Sequence, residues 1–131
     1  MAVELTGLAK VEARLEIEDL NSNFCYFLDQ GETDQLINLF VEDAHYSHGS
    51  RISVGHAQIR ELFSRRLEVG VRTARHMYSG LKIDFGGANV AVGRSVCMTF
   101  AKNSAPPITP AVPYLVADFI DEYQRCDDQH W

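Results

Sequence analysis

The apolar positions along this chain change period twice. Over residues 5–29 they recur at helical spacing. Leu20, Phe24, Phe27 and Leu28 share one face, and Leu8, Val11, Leu15, Glu18 and Ser22 share a row. One long helix is predicted. Gly31 supplies its stop, because glycine tolerates the left-handed conformation that follows a helix. Thr33 is expected to cap a short second helix that buries Leu36, Ile37, Leu39 and Phe40. Alternation takes over at residues 44–48, with Ala44, Tyr46 and His48 on one face. Gly49-Ser50 then turns the chain into a second short strand over Arg51–Val54. Helical spacing returns over Gly55–Leu67, with Ile59, Leu62, Phe63 and Leu67 facing inward.

Three long strands are expected next, over residues 71–85, 89–102 and 114–126. Gly86-Gly87-Ala88-Asn89 joins the first two as a hairpin. The proline-rich stretch 103–113 is a loop between strands and is expected to help form a cavity entrance. Asp127-Asp128 begins a final turn. The order predicts an α+β fold: a cone-shaped, curved antiparallel sheet wrapped around about three N-terminal helices. Residues 1–131 are expected to form one domain, with no internal repeat.

Composition narrows the function classes. Hydrophobic residues make up 46%, enough for a core, and the net charge of −6 argues against nucleic-acid binding. The arginines at 60, 65, 66, 72 and 75 are expected to form a solvated helix face and loop. Cys25, Cys97 and Cys126 are odd in number and form no CxxC pair, so buried free thiols in a cytoplasmic protein are expected. The amino terminus has neither a basic nor an apolar leader region, and no run is long enough for a membrane span. No GxSxG or GxGxxG occurs, so no cofactor is implied.

Candidate chemistry gathers at a few polar residues. Asp29 ends the first helix, where the macrodipole disfavours a carboxylate by roughly 0.3–1 kcal/mol if exposed. It either has a function or makes a turn-stabilising hydrogen bond. His76 is a candidate general base, since histidine titrates near neutral pH. Strict alternation from Met77, Leu81, Ile83 and Phe85 would put His76 on the opposite face, with Lys82 and Asp84. A bulge near Ser79-Gly80 would reset the phase and turn His76 inward. Tyr46 and His48 either line the cavity mouth or are ordinary strand residues. His45 and His56 are expected to be exposed, and Tyr26, Tyr78, Tyr114 and Tyr123 have no spacing that singles them out. No histidine spacing on one strand face supports a metal site.

The run from Leu28-Asp-Gln-Gly-Glu-Thr-Asp-Gln-Leu36 through Leu39-Phe-Val-Glu-Asp-Ala44, followed by Gly55-His-Ala-Gln-Ile-Arg60 and Arg75-His76, resembles the SnoaL-like proteins. These belong to the nuclear-transport-factor-like (cystatin-like) superfamily. The resemblance covers residues 17–131 and is nearest to the scytalone and bile-acid dehydratase branch. It implies an aspartate at the end of the first helix, matched by Asp29, and a strand histidine, matched by His76. The branch's strand tyrosine falls at His48, with Tyr46 on the same face. Phe24 stands where some members carry a tyrosine, and Ser95 lies near the position of the scytalone enzyme's second histidine. The first leaves that part of the machinery missing or displaced, and the second counts against scytalone dehydratase itself.

The resemblance implies a lyase or isomerase, acting as a dehydratase, isomerase or cyclase by general acid/base catalysis without a cofactor. His76 and Asp29 would be catalytic, and Tyr46, His48 and Phe24 would bind substrate. The ligand would be a small apolar ring compound such as a polyketide, steroid or aromatic metabolite. The alternative is a non-catalytic binding module, or a structural subunit like the small subunit of ring-hydroxylating dioxygenases. A homodimer through the outer sheet face, which carries Val96, Met98 and Phe100, is expected in either case.

Overall fold

The computed structural model describes residues 3–131. Met1 and Ala2, on which part of the leader-sequence expectation rests, lie outside the described residues. Helix α1 spans Gly7–Gln30, α2 Thr33–Ile37 and α3 Gly55–Leu67. The strands are β1 His45–His48, β2 Arg51–Val54, β3 Thr73–Phe85, β4 Val90–Lys102 and β5 Pro113–Gln124. No helix among the described residues is long and apolar enough to cross a membrane.

The α+β composition matches expectation, but the cone does not form. The strands divide into a two-stranded sheet, β1-β2, and a three-stranded sheet, β3-β4-β5, with no backbone ladder joining them. The sheet is therefore not one curved surface wrapped around the helices. Helix α1 packs along β3, whereas α2 packs on α3, and α3 packs on β2. The reason is local pairing. Strands β1 and β2 have four residues each, and Tyr46 and Ser53 face each other in a closed hairpin register. Periodicity predicts which face of a strand is buried; it does not say which edges will pair.

Gly31 ends α1 in the left-handed region at φ 70°, and its N–H reaches the Leu28 carbonyl. The Glu32 N–H returns to the Phe27 carbonyl at 2.9 Å, completing the stop. Thr33 does not cap α2. Glu32 occupies that position, and its side chain makes no capping bond. The buried row of α1 is Ala13, Ile17, Asn21 and Cys25, one residue every four. Phe24, Phe27 and Leu28 flank that row and pack on the core of Leu36, Ile37, Ile59 and Phe63. Leu67 turns outward, against expectation, and is 53% exposed.

The arginines at 60, 65, 66, 72 and 75 are all exposed, as expected. Arg60 pairs with Asp34, Arg65 with Glu61, and Arg72 donates to Asn103. His56 is half-buried, not exposed, and its Nε2–H donates to the Phe40 carbonyl at 2.8 Å.

Candidate active site

Strand β3 carries the phase change on which the site depends. Its pairing with β4 shifts between Ser79 and Lys82, and Gly80 sits there at φ 67°. Before the shift, the even-numbered Ala74, His76 and Tyr78 are half-buried; after it, the odd-numbered Leu81, Ile83 and Phe85 are. Glycine takes the positive φ without a Cβ penalty, so this bulge is cheap here. His76 thus lies on the inward side although simple alternation puts it outside.

Asp29 meets His76 from the end of α1. Its Oδ2 accepts the His76 backbone N–H at 2.8 Å, and its Oδ1 lies 2.5 Å from His76 Nδ1. The Asp29 side chain is 6% exposed and that of His76 17%. A carboxylate can only accept, so it holds the ring proton on Nδ1 and leaves the Nε2 lone pair free. Nε2 makes no hydrogen bond within the described residues. The structure thus brings Asp29 and His76 together.

A partly open cavity of about 1530 Å³ lies beside the pair. That exceeds the roughly 300–1,000 Å³ of an ordinary small-molecule cleft. His76, Tyr46, His48 and Phe24 all line it, and Asp29 stands behind His76. Phe24 meets Phe119 edge-on at a centroid distance of 5.9 Å and Tyr46 at 6.3 Å. His48 is exposed at the end of the hairpin. No residue of the proline-rich loop 103–113 lines the cavity, so its expected entrance role is not met. The loop is tied elsewhere: Thr73 Oγ1 donates to the Ser104 carbonyl and Lys102 Nζ to the Thr109 carbonyl.

Burial tunes the groups around this space. Desolvation raises the Tyr46 phenol above its usual range, while the nearby Arg66 guanidinium opposes the shift. Tyr46 is therefore a protonated donor at neutral pH. Cys25 is pushed up to about 12, chiefly by burial, and Cys97 is raised for the same reason. Neither thiol is a ready nucleophile.

Three cavity residues escaped the sequence reading. Asn21, Asp121 and Tyr123 meet at the wall formed by α1 and β5. The Tyr123 hydroxyl donates to Asn21 Oδ1 at 2.5 Å and lies 3.4 Å from Asp121 Oδ2. The single hydroxyl proton is claimed by the shorter contact. Asp121 has no ion-pair partner among the described residues, and burial raises its carboxyl above the usual range. Gly93 makes room for the Tyr123 ring, since a Cβ there would lie 2.6 Å from Tyr123 Cε2. A signal did exist. Asp121 falls on the inward parity of β5 with Phe119 and Tyr123, and Asn21 interrupts the apolar i, i+4 row of α1. Ser95, near the position of the missing second histidine, is buried and its Oγ has no partner.

Solved structures of this fold are numerous. A structure of a proposed scytalone dehydratase from Novosphingobium aromaticivorans is 23% identical, with a TM-score of 0.78 over 92% of this chain and 79% of that one. A hexachlorocyclohexane dehydrochlorinase (LinA) type 2 is 18% identical, with a TM-score of 0.77 over 93% of this chain and 81% of that one. A proposed aromatic ring hydroxylase from Novosphingobium aromaticivorans is 21% identical, with a TM-score of 0.74 over 91% and 82%. At these identities the likeness speaks for the fold alone. No curated protein sequence matches the chain significantly. The SnoaL-like domain family matches residues 9–131, and the chain belongs to that family.

Proposed function

We propose that the protein is a cofactor-free lyase or isomerase acting on a hydrophobic ring compound, with His76 as general base. The observation that carries this reading is the double contact of Asp29 with the backbone N–H and Nδ1 of His76. It fixes both the position of the ring and the nitrogen that keeps a free lone pair. Nε2 would take a proton from a carbon next to a carbonyl, and Asp29 would stabilise the imidazolium formed. The C–H electrons would pass into the enolate, whose oxygen accepts a hydrogen bond from Tyr46. In a dehydration, the enolate then expels a hydroxyl from the adjacent carbon, which takes up the proton held by His76 and leaves as water. In an isomerisation, that proton returns to a different carbon. His48 stands at the cavity edge and Phe24 supplies an aromatic wall for the ring.

Two structural neighbours are named for eliminations, one a dehydratase and one a dehydrochlorinase, which supports the lyase class. Dimerisation would use the outer sheet face, where Met77, Met98 and Val116 lie in one register row and are 61%, 37% and 61% exposed. The test is a panel of β-hydroxy ring ketones, followed by the absorbance of the enone formed. His76→Ala should lower turnover by about 10²–10⁴-fold with the fold intact. Unchanged turnover would remove His76 from the mechanism and favour a non-catalytic binding module or structural subunit.

A further inference from the structure

The cavity has a second polar end, remote from His76. We propose that Asn21, Asp121 and Tyr123 form a recognition subsite for a hydroxyl group at the far end of a fused polycyclic ligand. This rests on the reading of the cavity as a ring-compound site, but not on catalysis by His76.

Three observations carry it. Asn21 is 6% exposed and lines the cavity, yet its Nδ2 has no hydrogen-bond partner. A buried amide donor left unpaired is destabilising. Nδ2 is closed to solvent as it stands, and the cost is relieved when a small shift of the Asn21 side chain lets a ligand oxygen accept from it. Asp121 lines the same wall, unpaired with any cation among the described residues. Its carboxyl offers an acceptor to the ligand's own O–H. A donor and an acceptor side by side match an alcohol or phenol, which needs both; an ether or a halide would satisfy only the donor. Tyr123 is a positioning residue here. Its hydroxyl holds Asn21 Oδ1 at 2.5 Å and so turns the amide with Nδ2 away from it.

The distance sets the ligand's length. Asn21 precedes Asp29 by eight residues on α1, which is about 12 Å along the axis at the helical rise. The strand register agrees in sense. His76 pairs with Thr99, and Thr99 with Leu115, at the opposite end of β5 from Asp121. A single ring cannot touch both ends; a row of three or four fused rings can. The walls between carry Phe24, Leu28 and Phe119, which suit such a body.

The test compares two fluorescent probes of equal size, 2-hydroxyanthracene and 2-methylanthracene, by titration. Wild type should bind the hydroxyl probe about tenfold tighter, the worth of one good hydrogen bond to a buried group. Asn21→Leu and Asp121→Ala should each reduce that preference to about threefold or less, while the methyl probe keeps its affinity and so reports an intact fold. Should Asn21→Leu fail to fold, Tyr123→Phe replaces it and should also weaken the preference. His76→Ala should retain the preference even as turnover is lost, which separates this subsite from the catalytic reading. Equal affinities for the two probes in wild type would overturn the proposal. So would failure of both probes to bind, or a preference that survives Asp121→Ala together with Asn21→Leu or Tyr123→Phe.

Discussion

The two ends of the cavity are built on opposite principles. At the His76 end, every acceptor of the buried acid has a donor: Asp29 Oδ2 takes the backbone N–H and Oδ1 takes Nδ1–H. At the β5 end, Asp121 has only a 3.4 Å contact to Tyr123, and Asn21 Nδ2 has nothing. The acid of the first end is saturated within the protein, which fixes the geometry of His76 and leaves only Nε2 free. The second carries unmet hydrogen-bonding capacity and is suited to receive a partner. Preorganisation helps a group that must act on a bond, whereas an unmet donor helps a group that must select a ligand.

The sharpest way to break that contrast is Asp29→Asn. The His76 backbone N–H still needs an oxygen, so the new amide must turn its NH₂ toward Nδ1. That moves the ring proton to Nε2 and removes the base without moving the ring. Turnover should fall on the order of 10³–10⁴-fold, the scale of a wrong-tautomer histidine, with the fold retained. The ¹⁵N shifts of the His76 ring would report the proton on Nε2. A variant with full turnover and an unchanged tautomer would mean that Asp29 is structural only.

Next in size is Gly80→Val. No atom lies within 4 Å of a Cβ placed there, so the substitution meets open space. Its cost is the positive φ alone, about 1–2 kcal/mol for a residue with a Cβ. Urea unfolding should show that loss. If stability were instead unchanged, the bulge would not need glycine. The inward turn of His76 would then have a different cause.

These two sites differ in how far the sequence announced them. The helix stop at Gly31 and the limits of β2 and α3 follow from local rules, whereas the pairing of Asp29 with His76, 47 residues apart, came only with the family resemblance. A glycine after a helix and a bulge beside a glycine each leave a mark in a few adjacent residues. The separation into two sheets left no such mark, because pairing depends on which strand edges meet in space. Glu32, not Thr33, stands at the start of α2, and its side chain makes no capping bond. Asn21, Asp121 and Tyr123 were overlooked for a related reason. They belong to elements 100 residues apart in sequence, and their polarity gains meaning only once both rows are known to face one cavity. The inward parity of Asp121 was readable, but nothing local distinguishes a buried acid from a strand that has simply shifted phase.

The smallest effect probes Asp121 itself. Burial raises its carboxyl above the usual value of about 3.9, while Tyr123 pulls weakly the other way. Between the unfolded and folded values the native state holds more protons than the unfolded one. The stability tied to this group is therefore full below about pH 4 and lost as pH rises through the folded value. Asparagine has the same shape and no proton to lose. Asp121→Asn should thus be more stable than wild type at neutral pH, by an amount that shrinks toward zero below about pH 4. Urea midpoints at several values from pH 7.5 down to 3.5 would trace this. At pH 7.5 Asp29→Asn should instead be less stable than wild type, since the carboxylate it replaces is served by two donors. If both variants gained stability at pH 7.5, the cavity would have two equivalent ends, and neither could be singled out as the one that waits for a ligand.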